Sequence, residues 1–127
     1  MQTWIAVAIG GALGSVARHA MNSFVSHRLT HAVPAATAIV NLIGCLVIGI
    51  LTGLLVAGQI RMSMTARTFV FVGILGGFTT FSTFGLDTFT LMHEGRPLVA
   101  MANVLVQCVG GIAGVALGYA LGNATRL

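Results

Sequence analysis

The sequence predicts an all-α membrane protein with four transmembrane helices, the third of them broken, and three observations lead to this fold class. The 127-residue chain is 57% hydrophobic and 6% charged, whereas about 25% of residues are charged in soluble domains. Its apolar residues form four long runs, and only short polar segments separate them. Because a helix needs about 20 apolar residues to cross a bilayer, residues 1–127 are expected to form a single four-helix transmembrane domain.

Charged residues and prolines delimit the four apolar runs. The runs cover Thr3 to Phe24, Val33 to Ala57, Thr68 to Met92, and Leu98 to Gly122. Short connections place consecutive helices next to each other in antiparallel orientation, with backbone groups satisfied inside each helix. Glycines recur at four-residue spacing, most regularly in the fourth run, and small residues at this spacing let helices approach closely in lipid. A compact bundle in the lipid bilayer is therefore expected.

The arginines predict dual topology. With four spans, three arginines lie at each membrane face: Arg61, Arg67 and Arg126 at one, and Arg18, Arg28 and Arg96 at the other. Orientation normally follows an excess of positive charge on the cytoplasmic side. Since neither face has an excess, we expect insertion in both orientations and an antiparallel homodimer about a two-fold axis in the membrane plane. The basic residues are not clustered, so no nucleic-acid partner is expected.

The segment GILGGFTTFSTFG, residues 73–85, predicts the break in the third helix. Gly76 and Gly77 weaken a helix, and the hydroxyls of Thr79 and Thr80 compete for backbone groups. We expect the break between Gly76 and Thr80. In an antiparallel dimer its freed carbonyls would meet at the two-fold axis and could hold one dehydrated monovalent cation. An unbroken helix, with hydroxyls bonded to its own carbonyls, is the alternative.

Phe81 and Phe84 are three residues apart, with Ser82 and Thr83 between them, and three-residue spacing places both rings on one helical face. Core packing is one interpretation. The other is an anion pore, because aromatic ring edges carry partial positive charge and hydroxyls donate hydrogen bonds without a full counter-charge.

Two further helices carry polar side chains within apolar runs. The second run contains Thr37, Asn41, Gly44 and Thr52, and the fourth contains Asn103 and Gln107. An amide in hydrocarbon needs a partner, and interhelical hydrogen bonding is the default interpretation. Amide NH₂ groups can also donate to a dehydrated anion.

Arg18 and Asp87 are the charges furthest inside the apolar runs. Ionisable residues at membrane depth suggest function. They could form an ion pair, or each could lie at a hydrated vestibule.

Three motifs resemble those of the Fluc (CrcB) fluoride channels, small four-span proteins of bacterial plasma membranes. They are GGALGSVARH at residues 10–19, TAIVNLIG at 37–44 and GGFTTFSTF at 76–84. The resemblance implies a dual-topology antiparallel homodimer with two fluoride pores and a central sodium ion. It also implies multi-pass insertion in the bacterial plasma (inner) membrane.

The resemblance assigns roles to individual residues. Phe81 and Phe84 would be the aromatic pair along each pore. Asn41, Ser82 and Thr83 would be polar groups of the ion pathway.

By the same resemblance, the backbone carbonyls of Gly76 and Thr79 would bind the sodium ion, and Arg18 matches the arginine of the first-helix motif. Two positions depart from the family pattern. Asp87 stands where Glu is common, and Asn103 stands where many members carry Tyr.

The leading functional hypothesis is passive export of fluoride, which would relieve fluoride toxicity. The alternative is a small dual-topology proton-coupled exporter of cationic compounds, for which Asp87 is the available carboxylate. A membrane subunit without transport of its own is a third hypothesis. An enzyme is not expected, because no nucleophile, base and orienting group can be assembled from these residues.

Overall fold

The computed structural model describes residues 1–28 and 34–124, and over these ranges it is helical, without β-strands. Helix α1 is Gln2–Arg28 and α2 is Ala35–Val56. Helix α3 begins with Met64–Arg67, continues as a π-helical stretch over Thr68–Leu75, and ends with the turn Gly76–Phe78. Helices α4 (Phe81–His93) and α5 (Pro97–Asn123) follow.

Local signals explain the helix ends. The Ser63 hydroxyl accepts a hydrogen bond from the Ala66 N–H at 3.2 Å and caps the start of α3. Gly58 (φ 76°) and Gly95 (φ 72°) adopt the left-handed conformation just after α2 and α4, which glycine tolerates best. Pro97 begins α5, where its missing N–H has no cost.

Three helical units in the described ranges are long and apolar enough to cross a membrane: Ala35–Val56, Met64–His93 and Pro97–Asn123. Their most apolar windows have mean hydropathies of 2.6, 1.7 and 1.9. The second unit combines α3 and α4. Helix α1 has 27 residues, which is ample length, but Arg18 and His19 make it less apolar. The sequence predicted four spans, and three of them are apolar enough by this measure.

The helices pack mainly as two pairs, α1 with α3 and α2 with α5. In the first pair the backbones touch: a Cβ atom added to Gly10 would lie 2.6 Å from the Phe69 carbonyl oxygen and 2.9 Å from the Gly73 Cα. In the second pair, a Cβ on Gly118 would lie 2.8 Å from the Ile50 nitrogen. The glycine spacing therefore serves helix packing, as predicted.

Candidate functional site

The third span is broken where α3 gives way to α4. Thr79 (ψ 160°) and Thr80 (φ −152°, ψ 115°) are extended rather than helical. The Thr80 hydroxyl then accepts from the Thr83 N–H at 3.3 Å and caps α4. The predicted break between Gly76 and Thr80 is confirmed, at the C-terminal end of that range. Gly76 and Gly77 themselves remain in the last turn of α3.

The side chain of Asn41, from the middle of α2, binds the broken backbone. Its Oδ1 accepts from the Thr80 N–H at 2.8 Å, and its Nδ2 donates to the Thr80 carbonyl at 3.0 Å. In an unbroken α-helix the Thr80 N–H would bond to the Gly76 carbonyl. Asn41 therefore replaces a helical hydrogen bond and leaves the Gly76 carbonyl without its usual partner.

Arg18 reaches the same break from α1. Its Nη1 donates to the Thr79 carbonyl at 3.3 Å. The Thr79 hydroxyl and N–H both donate to the Leu75 carbonyl, each at 3.0 Å. A carbonyl predicted to face a cation thus accepts from a cationic guanidinium.

Phe81 and Phe84 lie together at the start of α4, with ring centroids 5.3 Å apart and an interplanar angle of 49°. The Phe84 side chain is 9% exposed, whereas Phe81 is 82% exposed. Ser82 and Thr83 lie between them in the same helical turn. The Thr80 hydroxyl shares hydrogen bonds with the Ser82 hydroxyl at 3.3 Å and the Thr83 hydroxyl at 3.0 Å. Aromatic rings and hydroxyls are therefore adjacent, as predicted.

An open cavity of about 360 Å³ lies beside the break. Its lining is mostly apolar, with a few polar groups from α2, α5 and the break. The lining residues are Asn41, Gly44, Cys45, Ile48, Phe71, Leu75, Gly76, Thr79, Thr80, Phe81, Phe84, Gln107 and Cys108. The structure thus brings the predicted amide, aromatic and carbonyl positions to one cavity.

Three side-chain amides, Asn41, Gln107 and Asn103, form a hydrogen-bonded series that we call the amide chain. Asn41 Nδ2 donates to Gln107 Oε1 at 2.7 Å, and Gln107 Nε2 donates to Asn103 Oδ1 at 2.8 Å. Asn103 Nδ2 then donates to the Thr88 hydroxyl at 2.9 Å. Thr88 donates in turn to the Phe84 carbonyl at 2.8 Å. The amide chain links α2, α5 and α4.

Asp87 and Arg18 have separate partners among the described residues. The Thr37 hydroxyl donates to Asp87 Oδ2 at 2.7 Å, while Arg18 bonds to the break. The structure therefore does not bring these two charges together as an ion pair.

Sequence reasoning did not assign a role to Thr88, and it interpreted Cys45 and Cys108 as small buried packing residues, whereas Cys45 is half-buried and Cys108 exposed. Thr88 lies one turn after Phe84, a spacing at which a hydroxyl can bond back to the helix, and this signal was available. Cys45 and Cys108 were detectable only from packing, because no ligand spacing marks them.

The chain is similar to known proteins over almost its whole length. A family model described as "CrcB-like protein, Camphor Resistance (CrcB)" matches residues 5–119. A protein from Chloroflexus aurantiacus named "Fluoride-specific ion channel FluC" is 38% identical over 122 residues, covering 96% of each chain. Relatives with the same name from Paracoccus denitrificans and Methylobacillus flagellatus are each 43% identical, over 120 and 116 residues. These matches cover 94% of both chains in the first case, and 91% of this chain and 90% of the relative in the second.

Proposed function

Because this chain belongs to the CrcB-like protein family, we propose that it is a fluoride-selective ion channel that exports fluoride passively and so relieves fluoride toxicity. It is a multi-pass protein of the bacterial membrane. The name of its relatives is that of a channel rather than an enzyme, in agreement with the sequence prediction. The same name supports the channel hypothesis and gives no support to a proton-coupled exporter.

The cavity beside the break is the observation that supports conduction at this place. Phe81 and Phe84 line it together with the polar residues Asn41, Thr80 and Gln107. Ring edges and hydroxyls can offer an anion partial positive charge. Ser82 and Thr83 are not among the lining residues, but their hydroxyls share hydrogen bonds with the hydroxyl of Thr80, which is. Without a full positive charge in contact, the ion is held weakly enough to leave again.

We place α1 in the membrane as the fourth span. Its large apolar residues Ile5, Ile9, Leu13 and Val16 are between 54% and 67% exposed in the single chain. Lipid would cover such a stripe. The close contact of α1 with α3, which forms part of a membrane-crossing unit, supports the same placement.

The functional unit is an antiparallel dual-topology homodimer. Phe81, 82% exposed beside the cavity, would be covered by a second copy. The balance of arginines between the two faces supports insertion in both orientations. Arg126, which contributes to that balance, lies outside the described residues.

A central sodium ion would bind the carbonyls of Gly76 and Thr79. The Gly76 carbonyl fits such an ion, since Asn41 takes its usual helical partner. The Thr79 carbonyl would have to exchange the Arg18 guanidinium for the ion or share itself between the two. Both carbonyls lie at or just after the C-terminal end of α3, where the helix dipole favours positive charge. Sodium would hold the two breaks together and offset repulsion between anions.

Fluoride efflux from liposomes tests the proposed channel directly. Purified protein is reconstituted into vesicles loaded with fluoride, the membrane voltage is collapsed with a potassium ionophore, and external fluoride is followed with an electrode. Chloride-loaded vesicles are the control. We expect rapid release of fluoride and none of chloride, whereas absence of fluoride release from folded dimers would overturn the proposal.

A further inference from the structure

The amide chain is bonded at one end to a group that can only donate and at the other end, through Thr88, to a group that can only accept. It begins at the Thr80 N–H, which can only donate, and it ends through Thr88 at the Phe84 carbonyl, which can only accept. Turning the Asn41 amide by 180° would place NH₂ against the Thr80 N–H, donor against donor. The same argument applies along the series to Gln107 and Asn103. All three amides are therefore held in one orientation.

The Asn41 amide has no unused N–H group. One N–H goes to the Thr80 carbonyl and the other to Gln107 Oε1, while its oxygen accepts from the Thr80 N–H. Asn41 could donate to an anion only by releasing one of these partners. Its main contribution is to hold Thr80 extended, and Gln107 is the acceptor that keeps it in place.

Gln107 has hydrogen-bonding capacity left over. Its oxygen accepts from Asn41 and one of its N–H groups donates to Asn103, so among the described residues one Nε2–H remains. Gln107 also lines the cavity. Asn103, in contrast, is 5% exposed and is enclosed between Gln107 and Thr88.

We propose that Gln107 and Asn103 are positioning residues for the break, acting through Asn41 to fix the extended backbone at Thr80 and hence the start of α4. The consequence for ion flux rests on the proposed function. The consequence for the Thr80 backbone does not, because it concerns hydrogen bonds within one folded chain.

Hydrogen exchange at the Thr80 N–H tests the structural step without any transport measurement. The full chain is studied by NMR in lipid or detergent. Loss of one hydrogen bond corresponds to about a tenfold change in an opening equilibrium, so Gln107→Leu is expected to accelerate exchange at Thr80 about tenfold. Amides in the interior of α2 should keep their protection. Cys108→Ala, which changes the next residue at the same cavity, is the matched control and should leave Thr80 unchanged.

Gln107→Glu separates the two hydrogen bonds of Gln107, the one it accepts from Asn41 and the one it donates to Asn103. A carboxylate still accepts from Asn41 but does not donate to Asn103 when ionised. We expect the Thr80 N–H to exchange more slowly in Gln107→Glu than in Gln107→Leu. Unchanged exchange at Thr80 in folded Gln107→Leu would overturn the proposal. If that variant does not fold, Asn103→Ala is measured instead, with faster exchange at Thr80 expected and an unchanged rate again overturning it.

Fluoride efflux then tests whether the effect reaches the ion pathway. Asn41→Ala and Gln107→Leu are each expected to slow efflux at least about tenfold. Because they act on one network, the double variant should be no slower than the slower single variant. Multiplied effects would show that the residues act independently and would overturn the positioning role. If the unaltered protein releases no fluoride, the proposed function fails, and hydrogen exchange still decides the present inference.

Discussion

At Thr79 and Thr80 the chain gives up helical hydrogen bonds inside its third span, and side chains from two other helices replace them. Asn41 pairs with both backbone groups of Thr80, and Arg18 donates to the Thr79 carbonyl. An unsatisfied backbone group in hydrocarbon costs several kcal/mol, so a break is tolerated only where protein or water satisfies it. These contacts explain how two extended residues persist at membrane depth.

Replacing Phe81 should impair conduction with little effect on folding. The ring is 82% exposed in the single chain, so Phe81→Ile removes the aromatic edge at the cavity while disturbing little packing. We expect fluoride efflux to fall by at least about tenfold, as for loss of a contact worth roughly 1.4 kcal/mol in the transition state, measured on protein that still forms dimers in detergent.

The matched control for Phe81 is Phe89→Ile, which removes an exposed ring about two turns farther along α4. Phe89 is 66% exposed and stacks on His93, away from the cavity lining. Equal efflux from Phe81→Ile and the unaltered protein would argue against a role for this ring in the pathway.

For single residues, the sequence predicted which side chains are neighbours along a helix better than it predicted how buried each one is. Three-residue spacing correctly placed Phe81 and Phe84 side by side. It could not show that one ring is buried and the other exposed, because burial depends on which helices pack against α4. The partners of Asp87 and Arg18 depended on tertiary packing in the same way.

Among the elements, the α1–α3 pair depends on direct backbone contact. Gly10 of α1 faces the Phe69 carbonyl and Gly73, and it allows the two helices to approach without intervening side chains. The π-helical stretch Thr68–Leu75 lies within this contact. Since its turns contain more residues than those of an α-helix, a 3.6-residue pattern drawn through α3 assigns faces incorrectly there.

Gly10→Ala should destabilise the protein, because the added methyl would lie 2.6 Å from the Phe69 carbonyl oxygen. Overpacking of this kind costs typically about 1–3 kcal/mol, which thermal unfolding in detergent would report as a lower melting temperature. Gly11→Ala is the control, since a Cβ there meets nothing within 4 Å. Equal destabilisation by both substitutions would contradict the backbone-contact explanation.

The sequence largely predicted which segments are helical, but it predicted less well where each helix begins and ends. The break lies at Thr79–Thr80 rather than at the paired glycines. Gly77 packs against the Gly11 backbone, where a Cβ would lie 2.6 Å from the carbonyl oxygen, so tertiary contact keeps it in the helix. Helix α3 begins at Met64, earlier than the apolar run suggested, because Ser63 provides a cap.

For the whole molecule, the proposed four-span topology leaves orientation in the membrane to a few charges. In that proposed topology Arg28 and Arg96 belong to one face and Arg61 and Arg67 to the other. Such a balance makes orientation sensitive to single substitutions, because the positive-inside preference depends on small differences in loop charge.

Two charge-biased variants test the dual-topology dimer. Arg61→Gln with Arg67→Gln should insert mainly one way, and Arg28→Gln with Arg96→Gln mainly the other, as tag accessibility would report. Each alone should confer little fluoride resistance on fluoride-sensitive cells, whereas co-expression should restore it. Full activity of either variant alone, in a single orientation, would contradict an antiparallel dimer.

The pairing of α1 with α3 and of α2 with α5 determines the order in which helices can pack during synthesis. Helix α1 packs on α3, which is synthesised after α2. Helix α2 packs on α5 (Pro97–Asn123), which is synthesised only after both α3 and α4. At about 5–20 residues per second that delay lasts several seconds. During this time the polar Asn41 can reach Thr80 once the third span has been made, but it lacks the Gln107 oxygen to which its amide also donates. Truncated chains ending before α5 should therefore be substrates for membrane quality control rather than stable subdomains.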